Sequence, residues 1–224
     1  MLKKHNYLLF ILLITSLSVL MISCKTEKNQ SLEYTITNND IQNKKTIAFL
    51  GDSITYNCDF NKLYPSSNDE LINFGIMGDS TFNILNRIDS VISKNFDEIF
   101  LLIGINDLLG NYFSFDESLK NYEKIINKIT SSCPNTELYI ESVLPVNEKI
   151  FLNKNSTIEK YNKNINELSK KYNLQYIDFY THFFNNNSLI YNAYLNDGLH
   201  LSQDGYAIIK SIQEKYLNKV GWIN

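Results

Sequence analysis

The chain has few of the residues that hold metals or clasp nucleic acid. Three cysteines and three histidines are spread over 224 residues, and no Cys/His set has the spacing of a metal site. No metal and no other cofactor is therefore expected. No basic tract is present and the formal net charge is −3, which argues against a nucleic-acid partner. Internal repeats and a second domain are also lacking. The nucleophile-elbow pattern G-x-S-x-G is missing, because Gly51-Asp52-Ser53-Ile54-Thr55 has no second glycine.

Hydrophobic residues make up 44% of the chain and charged residues 20%, a globular balance. The length suffices for one domain with a proper core. Tyrosine (15) and phenylalanine (13) are plentiful, so aromatic side chains carry much of the burial. The start of the chain reads differently. Lys3, Lys4 and His5 precede the apolar run from Tyr7 to Ile22, and Ser23, Cys24 and a polar stretch follow. This is the order of an export signal, and Met21-Ile22-Ser23-Cys24 resembles a bacterial lipobox, with Met21 where leucine is usual. The resemblance implies removal of residues 1–23 and lipidation of Cys24. A transmembrane anchor is the alternative, though the run is shorter than the roughly 20 residues needed to span a bilayer. Both readings put the domain outside the cytoplasm. Residues 24–44 are polar and lack an apolar period, as a tether would be. The domain is expected over 45–224.

Within it, short apolar runs of strand type occupy Thr46–Leu50, Glu70–Phe74, Glu98–Ile103, Glu137–Val143 and Leu174–Asp178. Helical spacing appears between them. Phe82, Leu85, Ile88, Val91 and Ile92 mark a helix over Thr81–Ser93. A second runs from Phe115 to Ser131, and a third, capped by Ser156 or Thr157, runs to Tyr172. A last helix follows Ser202 over Gln203–Val220. Residues 51–69 read as loop with room for a short helix, and 179–194 as an aromatic, Asn-rich loop. Strands alternating with helices imply a five-stranded parallel sheet with helices on both faces, an α/β fold. Ligands of such sheets bind beyond the C-terminal strand ends. Cys58 then falls near that rim and Cys133 at the opposite edge, so no disulfide between them is expected.

Four polar stretches fall at the rim: Gly51-Asp52-Ser53, Asn73 to Ser80, Gly104-Ile105-Asn106-Asp107 and Asp197-Gly198-Leu199-His200. Each alone is an ordinary turn or helix cap. Together, in this order, they are similar to the four motif blocks of the SGNH, or GDSL, hydrolases. Ile54 stands where the name-giving leucine would be. The resemblance covers Gly51 to His200 and implies a single three-layer, flavodoxin-like α/β/α domain with esterase or lipase activity.

It also implies roles. Ser53 is the expected nucleophile and His200 its base. Asp197, three residues before His200, can fold back onto the far ring nitrogen. The Ser53 N–H, the Gly78 N–H and the Asn106 amide are the expected oxyanion donors, with Gly75 the rival glycine. His182 is read as structural. Asp52, Asp79 and Asp107 are expected to bond loop backbone. The expected partners are an ester substrate on a glycan or lipid and, through Cys24, a membrane. A catalytically silent glycan-binding lipoprotein on the same fold is the rival reading, and an acyltransferase using the same serine is a third.

Overall fold

The structure of the protein, a computed structural model, describes residues 44–110 and 114–217. The expected leader, Cys24, nearly all of the tether and the last turn expected of the final helix lie outside these residues. No helix among the described residues is long and apolar enough to cross a membrane.

Five strands form one parallel sheet: β1 (Thr46–Gly51), β2 (Glu70–Gly75), β3 (Glu98–Leu102), β4 (Glu137–Glu141) and β5 (Gln175–Ile177), in the order β2-β1-β3-β4-β5. β1 and β3 are covered on both sides, and all five residues of β3 are buried. Neighbouring residues of a strand point to opposite faces, so each strand feeds two cores. Ala48, Leu50, Ile99, Leu101 and Ile140 pack into one cluster. Ile47, Phe49, Phe100, Tyr139 and Ile177 pack into the other.

The helices divide accordingly. The first cluster takes α3 (Thr81–Ile92), α5 (Phe115–Ser132) and α6 (Lys154–Lys171). The second takes α1 (Ser53–Tyr56), α2 (Phe60–Leu63) and α7 (Gln203–Leu217). The five-residue α4 (Ile105–Leu109) sits at the end of β3. Aromatics fill the second cluster as a stack, with Phe60 on Phe49 at 3.6 Å, Phe49 on Phe100 at 5.3 Å and Phe100 on Tyr139 at 4.4 Å between ring centres. Every strand of the sheet and both clusters come from residues 46–217.

Several local expectations are corrected. The buried stripe of α3 is Ile84, Ile88 and Val91, and Phe82 stands outside it, 45% exposed. α6 begins at Lys154 instead of after a Ser156 or Thr157 cap. Its first turn is set by Asn155, whose side chain accepts from the Val146 N–H and donates to the Val146 carbonyl. Asn162 does the same for Val143. Buried amides thus replace strand pairing there, and β4 stops at Glu141. The 179–194 stretch is partly ordered. It holds a tiny hairpin, β6 (Phe184–Asn185) and β7 (Ser188–Leu189), whose turn places Asn186 and Asn187 at positive φ. Asparagine tolerates that region and suits such turns. Cys58 and Cys133 are both free and buried.

Candidate active site

The nucleophile-type turn is built by close approach. β1 ends at Gly51, and α1 starts two residues later. A Cβ on Gly51 would lie 2.1 Å from Thr55 Oγ1 and 2.5 Å from the Leu102 carbonyl oxygen, so only glycine lets the helix fold back over the strand end. Asp52 caps α1 by accepting the Ile54 N–H at 2.9 Å. Burial pushes the Asp52 carboxyl up to about 7, against the opposing pull of that bond and of His200.

Two side chains hold the turn from outside. Asn73 donates its amide to the Thr55 and Cys58 carbonyls, at 2.8 and 2.9 Å, and accepts the Gly75 N–H at 2.8 Å. Tyr206 of α7 donates to the Ile54 carbonyl at 2.8 Å.

Ser53 Oγ lies 2.9 Å from His200 Nε2, across 147 positions of sequence. His200 Nδ1 lies 2.7 Å from Asp197 Oδ2. The other Asp197 oxygen accepts the Leu199 and His200 N–H groups, both at 2.9 Å. Partial burial raises the Asp197 carboxyl, but these backbone bonds and the ring outweigh it and hold its pKa below the usual carboxylate value. An ionised carboxylate only accepts, so Nδ1 carries the ring proton and Nε2 is left to accept from the serine hydroxyl. The supporting loop is pinned by the Asn147 N–H on the Gly198 carbonyl and by the Tyr194 hydroxyl on the Pro145 carbonyl.

Two of the expected oxyanion donors, Gly78 and Asn106, are linked through Asp79. Gly78 has φ +79 and nothing within 4 Å of where a Cβ would be. Among the described residues no group accepts its N–H, whereas the rival Gly75 spends its N–H on Asn73. Asn106 donates one amide hydrogen to the Asp79 carbonyl at 2.8 Å, which orients the amide and leaves its second hydrogen. Asp107 accepts the Thr81 N–H and hydroxyl at 2.9 and 2.6 Å, and burial raises its pKa.

Asp52 and Asp107 bond loop backbone as expected, but Asp79 does not. Its carboxylate takes the Arg87 Nε–H at 2.7 Å, while another nitrogen of Arg87 donates to the Phe74 and Gly51 carbonyls at 2.7 and 3.3 Å. One guanidinium thus joins the loop before α3 to the ends of β1 and β2. Motif reading missed Arg87 and left Asn73 without a role. A signal was present: Arg87 is the sole arginine among 21 Lys and Arg, and a forked donor is what a lysine cannot supply. His182 bonds its own turn, with Nδ1 2.8 Å from the Asp178 carbonyl.

Behind α1 lies a small, partly open cavity of about 20 Å³, lined in part by Thr55, Glu141, Tyr206 and Gln213, enough for one water. Glu141 is fully buried there, accepts from Gln213, and is pushed by burial up to about 8.

The five-stranded parallel sheet between two helical layers defines a class, the three-layer α/β domains. The chain belongs to the GDSL-like Lipase/Acylhydrolase family, whose model matches residues 49–208. Among solved structures it is similar to a candidate platelet activating factor from Streptococcus pneumonia, at 27% identity and a TM-score of 0.70, covering 88% of this chain and 98% of that one. It also shares its fold with an acetylxylan esterase from Geobacillus stearothermophilus, at 19% identity and a TM-score of 0.65, covering 80% and 96%. Among curated proteins, an N-acylneuraminate cytidylyltransferase of Streptococcus agalactiae is 23% identical over 171 residues, which are 76% of this chain. The match spans only 38% of that relative's length.

Proposed function

We propose that the protein is a serine carboxylic-ester hydrolase that works through an acyl-enzyme. The single observation that carries this reading is the unbroken hydrogen-bonded chain from Ser53 Oγ through His200 to Asp197. Ser53 attacks the acyl carbonyl while His200 Nε2 takes its proton. The imidazolium is favoured by Asp197 and returns the proton to the departing alkoxide. Water, activated by the same ring, then releases the acid. The Ser53 N–H, the Gly78 N–H and the Asn106 amide hold the oxyanion, each contributing about 3–4 kcal/mol to the transition state.

The substrate proposed is an O-acetylated glycan or a lysophospholipid-type ester of the cell envelope. The acetylxylan esterase of the same fold supports the first only at the level of fold. The lipobox-like Met21–Cys24 supports export and anchoring by lipid on Cys24. The rival glycan binder predicts a broken triad, and the Ser53–His200 and His200–Asp197 bonds disfavour it.

A fluorophosphonate probe tests the core of the proposal. The wild-type protein is expected to be labelled and Ser53→Ala to be silent. Folded wild type that resists the probe overturns it. Acetate release from acetylated glycan, set against fatty-acid release from lysophospholipid, then decides the substrate. Labelled palmitate incorporation lost in Cys24→Ser checks the anchor.

A further inference from the structure

The large apolar side chains left exposed among the described residues are not scattered. All eight sit in the segments that leave the C-terminal ends of the strands, on loops or on short or first helical turns that carry or flank the candidate site. Tyr56 follows β1, one turn beyond Ser53, and is 55% exposed. Ile76 and Met77, 46% and 60% exposed, immediately precede Gly78, and Phe82 begins the helix after it. On the other side of the mouth, Ile150 and Leu152 follow β4, and Leu152 is 75% exposed. Tyr191 and Leu195 follow β5 and lead into Asp197, each about half exposed. Apart from Tyr56 and Phe82, which sit at the rim in α1 and the first turn of α3, the opposite edge of the sheet and the outer helix faces carry none among the described residues; Lys–Glu pairs such as Lys171–Glu123 and Lys163–Glu159 occupy those faces.

We infer that this ring of loop tips is a membrane-docking surface that seats the Ser53 mouth on a lipid bilayer. Apolar surface gathered in one place marks a contact, and three observations select lipid. The tips come from four separate loops around a mouth, so a deformable interface can take each one, whereas a protein needs a complementary continuous face. A protein or a second copy covering the ring would seal Ser53 off, while a bilayer is a cover that itself carries acyl esters. The mix of side chains is interfacial: tyrosines with aliphatic tips, and Lys149 lying over the Tyr191 ring at 4.7 Å, its stem along apolar surface and its charge free to face headgroups. Chain length permits the orientation. The tether enters at Thr46, on the edge opposite the rim, and the twenty residues 25–44 reach at most about 70 Å when extended. The inference rests on the ester-hydrolase reading for what the docked mouth does, but not for docking itself.

The test uses the chain from Lys25 to Asn224, which keeps both core clusters and lacks the lipidated cysteine. It is sedimented with phosphatidylcholine vesicles, with and without phosphatidylglycerol, and turnover of p-nitrophenyl acetate is measured in parallel. Binding to both vesicle types is expected. Leu152→Asp and Tyr191→Asp should each lower the partition coefficient about tenfold or more, with soluble-ester turnover unchanged. Asn135→Asp, on the far edge, should change neither. The inference is overturned if wild type ignores vesicles, if the two rim variants bind as well as wild type, or if binding needs phosphatidylglycerol and vanishes in salt. It is also overturned if the rim drives dimerisation that vesicles do not compete away. Loss of p-nitrophenyl acetate turnover in wild type would instead defeat the hydrolase reading, whatever the vesicles do.

Discussion

Replacing Arg87 with lysine keeps the charge and removes the fork. A lysine has one nitrogen on a flexible stem, so it can meet the Asp79 carboxylate or the Phe74 carbonyl, but not both and the Gly51 carbonyl as well. Arg87 makes three such bonds, two of them at 2.7 Å, from a side chain 19% exposed. Losing one or two charge-assisted bonds should cost about 2–4 kcal/mol of stability. For a domain of this size that is a fall in Tm of about 5–12 °C. The functional cost follows from what Asp79 holds. Its carbonyl orients the Asn106 amide, and its neighbour Gly78 is another expected donor, so loosening the loop should misplace two of the three proposed oxyanion donors. A shift on the order of 1 Å in such groups lowers kcat about a hundredfold. Arg87→Met should be worse than Arg87→Lys, because it strands the Asp79 carboxylate, 9% exposed, without a partner. Thermal unfolding and kcat on a soluble ester measure both effects. If Arg87→Lys matches wild type in Tm and kcat, the guanidinium does not organise the site and the reasoning is refuted.

Three further outcomes are expected. Asn106→Ala should lower kcat about a hundredfold or more with little change in KM, and steady-state kinetics would expose the error if KM rose and kcat did not. Asp197→Asn should keep the fold but present the wrong ring tautomer to Ser53, with a loss of about two to four orders of magnitude in kcat; near-wild-type turnover would separate Asp197 from the chemistry. Glu141→Gln should change how stability depends on pH. The native carboxyl holds its proton up to about pH 8, against 4.5 ordinarily, so its contribution is fully present below the ordinary value and is lost as pH rises toward the native one. The loss is about 1.4 kcal/mol per pH unit, or roughly 3–5 kcal/mol from pH 5 to pH 8. Glutamine can keep the bond to Gln213 without titrating, so urea unfolding at the two pH values should show the wild type losing that much more than the variant. Parallel losses would mean that Glu141 is not held neutral.

Local order along the chain was enough to establish the alternation of strands and helices, the parallel sheet and the four polar stretches at its rim. Those features depend on the period of the apolar residues and on turn chemistry, which act over a few residues. The three-residue step from Asp197 to His200 was legible for the same reason. Only the tertiary structure decided the contacts that cross the chain. Ser53 meets His200 because β1 and the loop after β5 end at one rim. Asp79 prefers Arg87 to its own backbone because the helix brings a buried fork beneath it. α6 starts at Lys154, three or four residues early, because Asn155 partners the Val146 backbone where it leaves the sheet. Phe82 faces outward because α3 turns its Ile84–Ile88–Val91 side to the sheet. Such choices depend on which groups are desolvated together, and the order of residues in a chain does not state that until the chain is folded.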